Sequence, residues 1–327
     1  MILSVSRRTD IPNYYSDWFY NRIKEGFLYV KNPFNPHQVS KIMLSKETVD
    51  CIVFWTKNPE PMFARLHELD DYAYYFQFTL TGYGRDMEPN VPHKKEKMIP
   101  VFKQLSDRIG SNRVVWRYDP ILFSGVYTQE YHLQTFSQIA DALAGYTKRC
   151  VISFVDIYDR NRAAMGKLGV REFPGERNLC EKQISADAAL EKHFREFVSR
   201  LAGIAHRNGM EIVTCAEKMD LRDCGAAHGS CIDRTLVEEI VGYDIRVSGD
   251  KNQRAECGCA ESVEVGAYHT CMNGCKYCYA NDSDGRARQN YRLYDADSPL
   301  LCGKIGDGDK ITERKVSLLK EWQTGLF

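Results

Sequence analysis

The stretch CIVFWTKNP, residues 51–59, runs five apolar residues from Cys51 to Trp55 straight into Thr56, Lys57, Asn58 and a proline. A strand that alternates apolar and polar residues has one wet face. An unbroken apolar run with aromatic and β-branched residues reads instead as a strand buried on both faces, as in a parallel sheet. The same pattern recurs in ILSVSRRTD from Ile2, YYFQFTLTGYG from Tyr74, VVWRYDP from Val114, CVISFVDIY from Cys150 and EIVTCAE from Glu211. Helical periodicity fills the gaps. SDWFYNRIKEGF offers Ser16 as an N-cap, PEPMFARLHELDD opens on prolines, and KKEKMIPVFKQLSDRIG closes on a glycine. YTQEYHLQTFSQIADALAGY and SADAALEKHFREFVSRLAGIAHRNG complete the series. Strand, helix, strand, repeated, predicts an α/β fold with right-handed crossovers. A TIM-barrel-like (β/α) barrel, closed or partial, is the first expectation, and an open doubly wound sheet the second. No Gly-x-Gly-x-x-Gly follows a strand, so the usual dinucleotide fingerprint is absent. Residues 1–220 are expected to supply the β/α repeats, and residues 221–327 a cysteine-rich part that completes the barrel.

Each run ends in polar residues, and catalytic groups of such barrels stand at the C-terminal ends of the strands. That face would carry Arg7, Arg8, Thr9 and Asp10; Thr56, Lys57 and Asn58; Thr79 and Thr81; Arg117 and Asp119; Asp156; and Cys215 and Glu217. Asp10 and Asn58 each stand before a proline-led turn and serve equally well as helix caps. A cleft mixing arginines with acids suits a zwitterionic or phosphorylated ligand.

With 44 basic and 44 acidic residues the chain has no net charge, and so no long-range pull on nucleic acid or anionic lipid. No apolar run approaches the ~18 residues of a membrane helix, and the opening MILSVSRRTD is unlike a secretion signal. A cytoplasmic protein with no membrane partner is expected. In that reducing compartment twelve cysteines point to metal or redox chemistry rather than disulfides. Cys51, Cys150 and Cys180 are scattered and read as small buried hydrophobes; the rest crowd between Cys215 and Cys302.

The densest group is HTCMNGCKYCYAN, residues 269–281, with Cys271, Cys275 and Cys278 at C-x3-C-x2-C spacing. Three thiolates serve either a zinc ion or an iron–sulfur cube, and both take four ligands when closed by protein. VEVGAYHT, just before, reads as one more strand. Cys215, Cys231, Cys257 and Cys259 form a candidate second centre, an iron–sulfur cluster or a zinc site. Ordinary reduced thiols are the plainer alternative.

Cys-x3-Cys-x-Tyr-Cys, extended as CKYCYAN, resembles the signature of radical S-adenosylmethionine enzymes, in the form found in the spore-photoproduct-lyase-like branch. That resemblance implies a [4Fe–4S] cluster on Cys271, Cys275 and Cys278, an open iron that chelates S-adenosylmethionine, and Tyr277 beside the adenine. It implies reductive cleavage to a 5′-deoxyadenosyl radical, fed by a cellular one-electron donor. In that family the motif stands near the N-terminus, so this chain resembles a circular permutation of it, with VEVGAYHTC placed before ILSVSRRTDIP. The Gly-Gly-Glu segment that commonly holds the ligand ammonium is absent, and Arg7, Arg8, Thr9 and Asp10 stand in its place. The candidate cofactor-binding set is therefore Tyr277, Arg7, Arg8, Thr9, Asp10, Lys57 and Thr79, and the candidate catalytic set is Arg117, Asp119 and Asp156. The whole chain also resembles the family DUF1848, in which SVSRRTDIP, FWTKNP, RYDPI and the late cysteine motif occur together; that label supplies no reaction. The substrate stays unassigned, with nucleic acid as one class: the branch hints at it, and GRARQNYRLY from Gly285 interleaves arginines with tyrosines. A zinc- or cluster-stabilised non-catalytic module binding nucleic acid, or a [4Fe–4S] protein that uses no S-adenosylmethionine, are the competing accounts.

Overall fold

The computed structural model describes residues 1–170, 188–316 and 318–321. Cys180, one of the scattered cysteines, and the proline-containing segment 172–176 lie outside the described residues. In chain order the strands are β1 (Ile2–Val5), β2 (Phe27–Lys31), β3 (Gln38–Met43), β4 (Cys51–Thr56), β5 (Tyr74–Thr79), β6 (Val114–Ile121), β7 (Arg149–Phe154), β8 (Glu211–Cys215), β9 (Ala227–Gly229), β10 (Val263–Glu264) and β11 (Lys310–Glu313). Eight of them form one sheet in the order β10-β1-β4-β5-β6-β7-β8-β9, and every neighbouring pair is parallel. All six apolar runs are strands of this sheet. Among the described residues no ladder joins β9 to β10, so what the fold establishes is an eight-stranded parallel α/β sheet, without hydrogen-bonded closure into a ring.

Side chains alternate across the two faces of each strand, and both faces are buried. Toward the helices point Leu3, Val5, Ile52, Phe54, Phe76, Phe78, Trp116, Tyr118 and Ile152. Aromatic stacking orders this layer: Phe54 on Phe76 and Trp116 on Phe136 each have ring centroids 4.7 Å apart. Rings at this separation contribute roughly 0.5–1.5 kcal/mol beyond the area they bury. The opposite face carries Ile2, Cys51, Val53, Tyr75, Val115, Val151 and Val213, and it is filled by the chain's own residues 231–260. Ile232, Leu236, Val237, Ile245 and Ala260 pack into it. The cysteine-rich part is thus no appendage: it supplies both edge strands and fills the inner face. Cys51 and Cys150 are buried strand residues, as their surroundings in the sequence imply.

Some local expectations change. The first long helix, Ser16–Glu25, has Tyr15 at its N-cap, and Ser16 is its first turn. PEPMFARLHELDD winds as a 3-10 helix over Glu60–Leu69, with the Asn58 side chain accepting from the Glu60 amide at 3.3 Å. A second sheet, β11-β3-β2, escaped the sequence reading because its strands are short and largely wet. In the arginine–tyrosine stretch, Tyr291 and Tyr294 pack on the buried Tyr15, with centroids 5.5 and 5.0 Å away. Among the described residues no helix is long and apolar enough to cross a membrane.

Candidate functional site

The loop of Cys271, Cys275 and Cys278 leaves the C-terminal end of β10, and β10 lies parallel beside β1, with Leu3 opposite Val263 and Ser4 opposite Glu264. The loop therefore joins the same rim as the polar ends of β1, β4, β5, β6 and β7. Gly266 lets it start close to β1, since a Cβ there would stand 1.8 Å from Ser6 Oγ. Gly274, at φ +68°, turns the loop between the first two cysteines in a conformation that favours glycine.

Neighbouring elements grip this loop through named bonds. Thr9 Oγ1 accepts from the Ala267 amide at 3.2 Å and bonds Thr270 Oγ1 at 2.6 Å. Asp10 accepts from the Asn13 amide, as a cap, but also from the Lys57 amide at 2.8 Å and Asn273 Nδ2 at 2.9 Å. Capping and site-building are one arrangement here. Tyr15 donates to Thr270 O at 2.7 Å, Asn90 to Met272 O at 2.7 Å, Asn161 to Tyr277 O at 3.0 Å and Asn281 to Cys271 O at 2.6 Å. The Ala280 amide donates to Cys278 Sγ at 3.3 Å. All three thiols are half-buried. Burial first, then the charge of Asp10 and Cys278, pushes the free Cys271 thiol up to about 12. The Cys275 and Cys278 thiols are also raised by burial, with Lys57 pulling the other way.

Under the loop lies a charged cluster. Lys57 Nζ donates to Glu88 Oε1 at 2.8 Å and to the Tyr277 hydroxyl at 2.9 Å, and Tyr277 in turn donates to Glu88. Thr81 donates to the same carboxylate at 2.9 Å, and Lys94 holds its other oxygen. Burial opposes charge on Glu88, but the two ammonium groups outweigh it and hold the carboxyl down at about 2. Lys57 is likewise kept charged by Glu88 against its burial, whereas burial outweighs Glu88 at Lys94 and lowers it. Sequence reading supplied Lys57, Thr81 and Tyr277 but missed Glu88 and Lys94. Thr79, the residue named for the cofactor set, ends β5 opposite Arg117, and it is Thr81 that joins the cluster.

The remaining named residues divide. Arg8 lies over the Tyr268 ring at 4.6 Å, and Arg160 over the same ring at 4.9 Å. Arg7 turns inward, bonding Asp250 at 3.3 Å and lying 5.3 Å from the Trp55 ring. Arg117 is buried on the inner face, paired through two nitrogens with Asp119, and also donates to Gln77 and to Cys231 Sγ at 2.7 Å. Arg117 and Asp119 thus satisfy each other. Asp156 is paired with Arg254 and accepts from Tyr158 at 2.9 Å. Beside them burial lifts the Glu217 carboxyl to about 7, although it accepts from the Phe154 amide at 2.8 Å.

Cys215, Cys231, Cys257 and Cys259 meet on the inner face, behind Arg117. Cys215 and Cys231 have their sulfurs 2.9 Å apart. His269 pairs with Asp282 at 3.1 Å and faces Arg286 at 3.4 Å. Among the described residues, no three His, Cys, Asp or Glu side chains already surround a single point as ligands of one ion do. A cleft of about 500 Å³ opens elsewhere, lined by Asp70, Tyr72, Tyr74, Arg108 and Arg113 at the N-terminal end of β5, away from the cysteines and the strand ends that face them.

No curated protein and no solved structure matches the chain. The family model described as a domain of unknown function, DUF1848, matches residues 2–280, and the chain belongs to that family.

Proposed function

We propose that the protein is an iron–sulfur enzyme of the radical S-adenosylmethionine type, with Cys271, Cys275 and Cys278 as three ligands of a [4Fe–4S] cluster at the rim of a barrel-like sheet. One observation carries the reading: β10 pairs in parallel with β1. Read across the sheet, the order then begins with the cysteine strand and runs β1, β4, β5, β6, β7, β8, which is the order that the permuted resemblance requires. The donor set fits the group. Three half-buried thiols share one loop, an amide already donates to Cys278 sulfur, and the Lys57 cation offsets their negative charge.

When bound, such a cluster supplies one electron to S-adenosylmethionine, drawn from a cellular donor, and an open iron for its methionine end. The protein's own residues do the rest. Asp10, Thr9 and Asn273 fix the loop against β1. The Lys57–Glu88–Lys94 cluster keeps one net positive charge beneath it when both lysines are protonated. We assign a ligand carboxylate to Arg8 and Arg160, the guanidinium groups that share the Tyr268 ring. Glu217, with its carboxyl near neutrality, is the group that holds or releases a proton at the β8 end.

Iron and labile sulfide, counted per chain after anaerobic reconstitution, test the first half. Each of Cys271→Ala, Cys275→Ala and Cys278→Ala is expected to lose the sulfide and the iron that accompanies it. Dithionite and S-adenosylmethionine added to the wild type are expected to yield 5′-deoxyadenosine. Reconstituted wild type without iron and sulfide would sink the cluster; intact S-adenosylmethionine over a fully reduced cluster removes the radical chemistry alone.

A further inference from the structure

We infer that Cys215, Cys231, Cys257 and Cys259 form a second, separate metal site, which takes a single thiolate-preferring ion, zinc or ferrous iron, rather than a cube. The four thiols come from three places: the end of β8, the loop after β9, and the turn before β10. They form a contact chain. Cys215 and Cys231 sulfurs stand 2.9 Å apart, and Cys231 with Cys259, like Cys259 with Cys257, lies near enough for each thiol to affect the other's ionisation. Tetrahedral ligation at a metal–sulfur distance near 2.3 Å spaces the sulfurs by about 3.8 Å. A 2.9 Å separation is nearer to that spacing than to the wider one a cube imposes on its ligands. Among the described residues the four do not enclose a point; binding an ion would draw them together by side-chain rotation at more than one of them.

The surroundings are built for thiolates. Arg117 Nη1 donates to Cys231 sulfur at 2.7 Å and the Ile232 amide to Cys259 sulfur at 3.4 Å. Arg7 is close enough for its charge to favour the Cys259 thiolate, and its Nη2 is buried without a hydrogen-bond partner. Two guanidinium groups thus face a site that four thiolates and a divalent ion leave doubly negative. Position is fixed by backbone contacts: Tyr75 and Gln77 both donate to Cys231 O, at 2.8 and 2.7 Å, and Ser230 donates to Gly258 O at 2.8 Å. An apolar core has no need of four convergent thiols with two cations against them.

The site is independent of the cluster proposed above, and Cys271→Ala separates the two. Full-length protein, purified anaerobically without added metal, is analysed for zinc, iron and sulfide, then titrated with Co²⁺ after removal of its divalent ion. The expected result is one ion per chain not accompanied by sulfide, retained in Cys271→Ala and lost in Cys215→Ser and Cys257→Ser. Cobalt should give the intense thiolate charge-transfer and tetrahedral ligand-field bands. A mercurial that blocks thiols should release the ion from the wild type, a readout that does not depend on any variant folding. Wild type that neither carries such an ion nor shows those cobalt bands overturns the proposal. So does sulfide that disappears together with iron in Cys257→Ser, which would make the site a second cluster.

Discussion

Glu88→Gln removes the one carboxylate between two lysines and changes little else in shape. Its cost follows from the geometry. Glu88 is 1% exposed and accepts from Lys57, Thr81, Tyr277 and Lys94. A carboxyl drawn from its ordinary 4.5 to about 2 corresponds to about 3 kcal/mol of native-state stability. Breaking a buried ion pair by removing one partner costs roughly 3–5 kcal/mol, which agrees. The sign of the pH dependence is fixed: the folded-state value is depressed, so the contribution is complete above pH 4.5 and is lost as pH falls toward 2. Urea unfolding of the metal-free full-length chain and of Glu88→Gln should differ by about 3 kcal/mol at pH 7 and by about half of that at pH 3. A difference below about 1 kcal/mol at pH 7, or one that does not shrink at pH 3, refutes the reasoning.

Other outcomes follow from the same contacts. His132 is buried, accepts at Nδ1 from Tyr118 at 2.9 Å and donates from Nε2 to Leu122 O at 2.8 Å, and burial lowers it to about 4. The unfolded chain takes the proton first, so the stability of wild type relative to His132→Gln should fall by about 3 kcal/mol between pH 6.5 and pH 4, measured by urea midpoints. Gly274→Ala forces a Cβ onto a φ of +68° and to within 3.1 Å of Asn90 and Pro89; it should cost about 1–3 kcal/mol and lower iron retention after reconstitution. Thr9→Val keeps the volume but leaves the Ala267 amide without its acceptor, and should cost about 1–3 kcal/mol in the same unfolding assay.

The strands were legible because each is an apolar run that needs no partner to be recognised. Their polar ends were legible too, but not what those ends would do. Arg117 and Asp119, a candidate catalytic pair from the sequence, lie two apart on one strand and pair with each other, a contact that the strand pattern alone does not announce. Asp10 suits a cap in the sequence, and it caps Asn13 while also accepting from Asn273 of the cysteine loop. Glu88 sits in DMEPN, a stretch with the look of a solvated loop, and only tertiary contact with Lys57, 31 positions away, makes it a buried hub. The Lys94 cation in the KKEK run that follows was the available clue. Strands β2, β3 and β11 were missed since their burial is partial and their pairing links residues 38–41 to 310–313, a separation that no local pattern encodes.

The pairing of β1 with β10 also sets an order of assembly on the ribosome. Residues 2–5 leave the exit tunnel long before residues 263–264, and β4 soon covers one flank of their strand. The other flank waits for Val263 and Glu264. At the usual pace of translation, about 5–20 residues per second, that wait lasts some tens of seconds. The thiols of the rim follow the strands they sit beside, so the nascent chain must keep one naked strand flank from sticking to its neighbours until Val263 and Glu264 arrive.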